Sequence, residues 1–335
     1  MIPPKIDLKD RRILVICAKF FGYEIKVVEH LRSRGALVEF ADERPGNSSL
    51  AKTLIRLHSV IIRPIINKYY IEILKRFSKN DFDDILFISP ECCSLKIMQL
   101  FRLQYPKARF LLYMWDSLKN KGHRTPDAFL SFFDRSLSFD DEDSRLYGLI
   151  FRPLFFIESM MDSSREKVKY AFSFVGTIHS DRFKIIRTFS EEADKLGLKY
   201  FVYPFLPSRF HYWLYRLTKR EFQGFSINHF HFHPMPYSEV LKILKKSNVI
   251  IDMEHPKQRG LTMRTLEVLG AGKKLITTNK EIRCYSFFSE DRVMIIDRKK
   301  PSLRSSFFED NGNPISSDVI SRFSITHWVN DIFQC

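Results

Sequence analysis

The chain has 335 residues, 44% of them hydrophobic and 32 of them phenylalanine, which exceeds one typical core, sets two domains of about 150 to 170 residues as the expectation and excludes a disordered chain. A net charge of +15 asks for an anionic partner, and nucleic acid, a nucleotide sugar and an anionic membrane face are the three classes it admits. No stretch reaches the roughly 18 consecutive apolar residues of a membrane span and residues 1–10 lack the apolar core of a signal peptide, so a cytoplasmic protein is expected.

The chain opens with Arg12-Ile13-Leu14-Val15-Ile16-Cys17, a short buried strand, followed by a helix over residues 23–34 that ends at Gly35 as a cap, and a strand at Leu37-Val38-Glu39-Phe40. The loop Ala18-Lys19-Phe20-Phe21-Gly22 between them has no Gly-x-Gly-x-x-Gly, so the dinucleotide fingerprint is absent. Between residues 51 and 80, Lys52, Arg56, Arg63, Lys68, Lys75, Arg76 and Lys79 face a single acid, Glu72, among Leu54, Ile55, Ile61, Ile62, Ile65 and Ile66. That pattern suits a bilayer surface; a solvated helix face over a core stripe produces it too. Strands are expected at residues 84–89 and 110–114 with a helix at 94–104 between them, then Leu137-Ser138-Phe139, a turn at 144–147 and Phe151-Arg152-Pro153-Leu154. Strands alternating with helices at this spacing argue for a doubly wound domain whose carboxyl edge carries residues 19–23, Pro90-Glu91, Trp115-Asp116-Ser117 and Asp140. Cys17, Cys92, Cys93, Cys284 and Cys335 have no metal-type spacing and read as reduced and structural.

The second half restarts at Phe172-Ser173-Phe174-Val175, followed by Gly176-Thr177-Ile178-His179-Ser180-Asp181-Arg182, a helix through residue 192 and a strand at 199–203. The patch Pro207-Ser208-Arg209-Phe210-His211-Tyr212-Trp213-Leu214-Tyr215-Arg216, continuing to Lys219 and Arg220, interleaves aromatics with cations as a lipid headgroup region favours. His229, His231 and His233 alternate, so in a strand they share one face; this suits a metal only if further ligands converge. Two acidic runs, Asp81-Phe82-Asp83 and Asp141-Glu142-Asp143, imitate a cation-binding Asp-x-Asp; the first lies on the amino side of its strand, and for the second, which is less easily dismissed, a charged turn is the commoner explanation.

The most informative stretch is Gly260-Leu261-Thr262-Met263-Arg264-Thr265-Leu266-Glu267, then Gly270-Ala271-Gly272 and Lys273-Lys274-Leu275-Ile276-Thr277-Thr278. A strand, Val249-Ile250-Ile251-Asp252-Met253, precedes it. A glycine beside a helix start, with a carboxylate one turn further in, is geometry that holds a nucleoside diphosphate, amides toward phosphate and Glu267 toward ribose. Gly270 to Lys274 is no P-loop, because Glu267 and Lys274 stand where that motif needs Gly and Ser or Thr; it reads as a helix-to-strand turn.

With Arg264 and Glu267 as an Arg-x-x-Glu helix start and small residues before the next strand, residues 247–276 resemble the donor-binding segment of GT-B glycosyltransferases. The similarity is greatest to the CgeB-type and lipopolysaccharide or capsule biosynthesis branch, and Tyr113-Met114-Trp115-Asp116-Ser117, Phe139-Asp140-Asp141-Glu142-Asp143 and Arg152-Pro153-Leu154-Phe155 also look like that branch. The resemblance implies an α/β GT-B fold, two Rossmann-like domains with parallel sheets facing a central cleft. Residues 1–160 would form the acceptor domain and 161–335 the donor domain, the last helix packing back on the first. It implies a metal-independent enzyme with no cofactor, moving a sugar from a nucleotide-sugar donor to a lipid-linked or cell-surface glycan precursor at an anionic membrane face, without nucleic acid as partner. By that resemblance Gly176, Thr177, His179 and Arg182 face the donor phosphates or sugar, and the backbone at Met235, Pro236 and Tyr237 meets the nucleobase. In a metal-free site the Gly260 amide, Thr262 and Arg264, assisted by Arg182 or Lys257, would stabilise the leaving phosphate; a surface ion pair of Arg264 with Glu267 is the alternative. An inverting reaction needs a general base, for which Asp116 is the first candidate and Glu91 the second, though a carboxylate after a strand also serves as a helix cap. The Glu-x7-Glu of many retaining members is absent, since Arg259 lies eight before Glu267, so stereochemistry stays open. Two other classes remain: a non-catalytic GT-B-like scaffold, and a basic nucleic-acid-binding protein, for which no zinc-finger, helix-turn-helix or RRM signature is present.

Overall fold

The computed structural model describes residues 6–46, 59–118, 126–158, 167–256, 258–309 and 312–334. Unit 1 comprises Met1–Leu154 with Ile325–Cys335, and unit 2 comprises Phe155–Ser324. The division falls ahead of residue 160 because Phe156 already belongs to unit 2: its amide bonds to Phe323 O (2.9 Å), it bridges Ser324, and its ring is buried.

In unit 1, β1 (Arg12–Cys17), β2 (Leu37–Asp42), β3 (Asp84–Ile88), β4 (Arg109–Met114), β5 (Arg135–Ser138) and β6 (Ile150–Phe151) form one sheet of order β2-β1-β3-β4-β5-β6, every pairing parallel. The apolar runs of β1, β3 and β4 are buried almost throughout, as strands covered on both faces require. Helix α1 (Tyr23–Ser33) buries Tyr23, Val27, Val28 and Leu31, one side of the helix. It ends where Gly35 takes φ 88°, so that Gly35 N bonds to Arg32 O and Ala36 N to Leu31 O, a Schellman closure that only a glycine enters without strain. Helix α2 (Ser59–Arg76) turns Ile66, Tyr70, Ile73 and Leu74 into the core. Ile66 of the basic-apolar pattern is therefore core, whereas Ile65 stays 63% exposed; Lys52, Leu54, Ile55 and Arg56 lie outside the described residues. Helices α3 (Leu95–Gln104), α4 (Pro126–Leu130) and α5 (Asp141–Tyr147) complete the first run. The acidic run Asp141-Glu142-Asp143 is the first turn of α5, capped by Asp140, whose carboxylate accepts from Glu142 N and Asp143 N. Asp143 accepts in turn from Leu118 N (2.7 Å). Asp83 accepts from Arg12 N at the amino end of the sheet.

The C-terminal helix Ile325–Phe333 packs into unit 1. Trp328 meets Tyr113 edge to face at 4.9 Å, Arg152 pairs with Asp331 at 2.6 Å, and Arg109 donates to Phe333 O.

In unit 2, β7 (Tyr170–Thr177), β8 (Tyr200–Phe205), β9 (Ser247–Asp252), β10 (Lys274–Thr277) and β11 (Val293–Ile295) form a second sheet of order β11-β10-β9-β7-β8, again entirely parallel. Its helices are α6 (Arg182–Lys195), α7 (Arg209–Thr218), α8 (Tyr237–Lys245), α9 (Met263–Gly270) and α10 (Ser317–Ser321). Gly272 at φ 61° closes α9, with Gly272 N on Leu269 O and Lys273 N on Val268 O. The three alternating histidines do not share a strand face. Ile227–His229 is a 3-10 turn, only His231 bridges to Phe205, and Pro234 and Pro236 withdraw the donors a longer ladder needs. His231 stacks on Tyr203 at 3.7 Å, and the Tyr203 hydroxyl donates to His233 O.

Candidate functional site

From β7 the chain of unit 2 runs outward to β8 on one side and resumes at β9 on the other, so the sheet has its switch point between the carboxyl ends of β7 and β9, where parallel sheets bind ligands. Thr177 ends β7 and Asp252 ends β9. Arg182, the first residue of α6, ties the two: Nη1 donates to Thr177 O (3.0 Å) and Nη2 to Met253 O. Burial lowers the Arg182 pKa while Asp252 and Glu254 oppose the shift, and its Nε has no partner among the described residues.

His179 lies in the loop between β7 and α6. Burial, then the charges of Arg182, His255, Lys219 and Arg298, push its pKa down to about 3, so the ring is neutral at pH 7. Arg182, Lys219 and Arg298 stand around this half-buried loop, with Asp181, Asp252 and Glu254 among them. The His255 ring is 5.4 Å from that of His179, and Lys219 reaches the same loop by donating to Ser180 O (2.7 Å). Ser180 holds φ 52°, a left-handed conformation costly for a residue with a Cβ.

A ring of acids holds these groups in place. Arg298 donates to Asp181 (2.7 Å) and to the carboxylate and carbonyl of Glu254 (both 2.6 Å). Burial alone would lower its pKa, but the bonds and charges of Glu254 and Asp181 raise it. Glu254 also accepts from the Thr278 hydroxyl at the end of β10 (2.6 Å). Asp252, nearly buried, accepts from the hydroxyls of Thr262 and Thr265 (the latter at 2.7 Å). Thr262 is at the same time the N-cap of α9, accepting from Thr265 N at 3.2 Å, a bond worth about 1 kcal/mol.

Glu267 sits one turn into α9 with its side chain 1% exposed. Arg264 pairs with it at 2.6 Å while remaining 20% exposed. The Tyr237 hydroxyl bonds to the same carboxylate; burial first, then the Glu267 charge and that bond, push the tyrosine pKa up. Helices α8 and α9 are thus joined through Glu267, and the Arg264–Glu267 pair is not a surface pair.

The structure gathers Gly176, Thr177, His179 and Arg182 on one loop and Tyr237, Thr262, Arg264 and Glu267 around the first turns of α9, both at the carboxyl edge of the unit 2 sheet. Met235 and Pro236 lead into α8, Met235 half-buried and Pro236 exposed. The carbonyl of Gly260 is fixed by Gln258 Nε2 (3.0 Å) and Asn279 Nδ2 (3.5 Å), and Lys257 lies outside the described residues. The sequence reading missed Asp252, Glu254, His255 and Arg298. Asp252 was legible as the carboxylate ending an apolar strand; Arg298 follows Val293–Ile295, a strand too short to announce itself.

In unit 1 the corresponding switch point lies between β1 and β3. Glu91 is held at 2.7 Å by Arg44, which also faces the fully buried Glu43. Glu43 accepts from Cys92 N (3.0 Å) and Glu91 N (3.3 Å). Asp116, after β4, is half-buried and accepts from Ser117 N (3.0 Å). It stands next to Trp115, which packs against the exposed Phe20 at 5.8 Å. Of the two candidate bases, both half-buried, Glu91 is engaged as a strut to Arg44.

No protein-family model matches the chain, and no curated protein matches its sequence. Solved structures match its fold. An α-glucosyltransferase in complex with UDP and a 13-mer DNA containing a central A:G mismatch matches with a TM-score of 0.60 at 14% identity, over 96% of this chain and 93% of its own. Sucrose-phosphate synthase from Thermosynechococcus elongatus matches at 0.59 and 10% identity, covering 97% and 98%. The fold is GT-B. The Anabaena protein HepE in complex with UDP and glucose matches the same GT-B architecture at 0.58 and 10% identity, over 96% of this chain and 98% of its own. At these identities the likeness is one of fold, and the six- and five-stranded parallel sheets are what carry it.

Proposed function

We propose that this protein is a metal-independent glycosyltransferase that moves a sugar from a nucleotide-sugar donor to a cell-surface glycan precursor of the lipopolysaccharide, capsule or exopolysaccharide kind, at the inner face of the membrane. The observation that carries the donor half is the position of Arg182, Lys219 and Arg298, all bonded to residues of the β7–α6 segment at the switch point of unit 2, beside the capped start of α9. A diphosphate leaving group builds up negative charge as the glycosidic bond breaks, and Arg182, Arg298, Lys219 and the α9 amides are arranged to receive it. Neutral His179 offers a hydrogen bond without adding charge. The Glu267 carboxylate is assigned to the ribose, and Asp116 on unit 1 to deprotonation of the acceptor hydroxyl.

UDP is the first donor nucleotide to test, since three of the matching structures were solved with it. The experiment is a thermal-shift series with UDP, ADP, GDP, CMP and dTDP, followed by transfer assays from the corresponding sugars to lipid-linked saccharide acceptors. A nucleotide present at about a hundred times its Kd raises stability by about 2.7 kcal/mol. Stabilisation by one nucleotide with sugar transfer supports the reading. Stabilisation without transfer or hydrolysis favours a scaffold. No response to any nucleotide, with salt-dependent binding of DNA or RNA instead, would replace the proposal with the nucleic-acid reading that the charge of +15 admits.

A further inference from the structure

A surface helix ordinarily turns its apolar stripe inward. In α7 the inward side is carried by Tyr212, 2% exposed, whose hydroxyl donates to Phe225 O, and by Arg216, which donates to the Tyr212 hydroxyl and to Phe225 O. The opposite side carries Phe210, Trp213, Leu214 and Leu217, at i, i+3, i+4 and i+7, which are 71%, 55%, 43% and 83% exposed. Four large apolar side chains on one exposed helical face exceed the scattered exposure of ordinary surfaces. Arg209 stands exposed at the start of α7 and Arg220 just past its end, and α7 itself contains no acid, Glu221 following Arg220 in the next turn.

We infer that α7 docks unit 2 on an anionic lipid surface, Phe210, Trp213, Leu214 and Leu217 entering the boundary between headgroups and acyl chains while Arg209 and Arg220 lie on lipid phosphates. This deepens the membrane part of the proposed function and rests on it. None of the four apolar residues is among those at the nucleotide site. Charge selects the occupant. Two copies of this face packed together would set Arg209 and Arg220 against their own likenesses with no acid on α7 and Glu221 alone beside them, whereas anionic headgroups neutralise both arginines. An aromatic, leucine and arginine mixture on one helix face is also the composition that interfacial helices use. Of α2, which the sequence offers for the same role, Ile66, Tyr70, Ile73 and Leu74 are spent on the core of unit 1; the α7 stripe is not.

The test is co-sedimentation of the full chain with phosphatidylcholine vesicles and with equimolar phosphatidylcholine and phosphatidylglycerol, using wild type, the triple variant Phe210→Ser/Trp213→Ser/Leu217→Ser and the pair Arg209→Glu/Arg220→Glu. All five positions are exposed, so melting curves close to wild type are expected to certify folding. The expected result is binding of wild type to the anionic vesicles and a fall of at least about tenfold in either variant. Trp213 emission should shift to the blue on the vesicles, and Trp213→Phe should abolish the shift. Wild type that ignores anionic vesicles overturns the inference, as does binding that both variants retain. A concentration-dependent dimer that the triple variant dissolves would overturn it in favour of a second copy of this chain. Nucleotide thermal shifts run on the same variants separate the two readings: lost vesicle binding with an intact nucleotide response leaves the donor site standing, and vesicle binding without any nucleotide response leaves α7 standing.

Discussion

Replacing Glu267 by glutamine tests the centre of the donor site with minimal change of shape. The amide fills the carboxylate's space and still offers an oxygen to the Tyr237 hydroxyl, but the charge that faces Arg264 at 2.6 Å is gone. A hydrogen bond to a charged group contributes about 1.5 to 3 kcal/mol. Arg264 is 20% exposed and can turn to water, which places the loss near about 2 kcal/mol rather than at the larger cost of stranding a buried charge. For a unit of this size that lowers the melting temperature by about 4 to 8 °C. Calorimetry of wild type, Glu267→Gln, Arg264→Met and the double variant should give a coupling of at least about 1 kcal/mol between the two positions. Titration with UDP should show Kd raised by about tenfold or more if the carboxylate takes the ribose hydroxyls. Additive single and double variants would refute the buried pair as a source of stability. A lowered melting temperature with unchanged UDP affinity would refute the ribose assignment and leave Glu267 as a strut between α8 and α9.

Because folded His179 titrates at about 3 and an unfolded histidine near about 6.5, the unfolded chain alone takes up a proton between these values, so stability falls as pH drops from about 6.5, by at most about 1.4 kcal/mol per unit. His179→Gln should flatten that slope in urea melts between pH 7 and pH 5, and parallel slopes would sink the assignment. Gly270→Ala should destabilise despite a helix-propensity gain of about 1 kcal/mol, since its Cβ would come within 2.5 Å of the buried Phe156 ring and overpacking costs about 1 to 3 kcal/mol; a melting temperature above wild type contradicts this. Asp252→Ala removes the acceptor shared by Thr262 and Thr265 and should cost about 1 to 3 kcal/mol. Its effect should be non-additive with Thr262→Ala, and simple additivity would separate the cap from the strand end. Asp116→Asn should lower the rate of sugar transfer by about a hundredfold or more with UDP affinity unchanged, and a rate within a few-fold of wild type would dismiss it as the base.

The parallel sheets were legible because buried strands such as Ile13 to Cys17 and Val249 to Ile251 are continuous apolar runs, a pattern that survives without any knowledge of partners. The turns at Gly35 and Gly272 were legible for a different reason: both take positive φ and close Schellman bonds, a local event. Side-chain roles that depend on remote neighbours were not. Nothing local distinguishes the basic stripe of α2, buried on its apolar side, from that of α7, exposed on it. Arg298 acquires its place only when β11 pairs with β10 and carries it toward Asp181 and Glu254. The histidine alternation misled because period two argues strand only where the backbone donors are present, and two prolines follow at once.

The chain leaves unit 1 after Leu154 and re-enters it at Ile325. Unit 1 is thus a sequence-discontinuous body whose second piece, the helix bearing Trp328, Asp331 and Phe333, is synthesised after every strand of both sheets. During translation unit 2 has all of its strands before unit 1 can close its own core around Tyr113. Until that helix leaves the ribosome, the wall of the first sheet that Trp328 will cover stays wet, and chaperone demand falls on unit 1 although its strands precede those of unit 2.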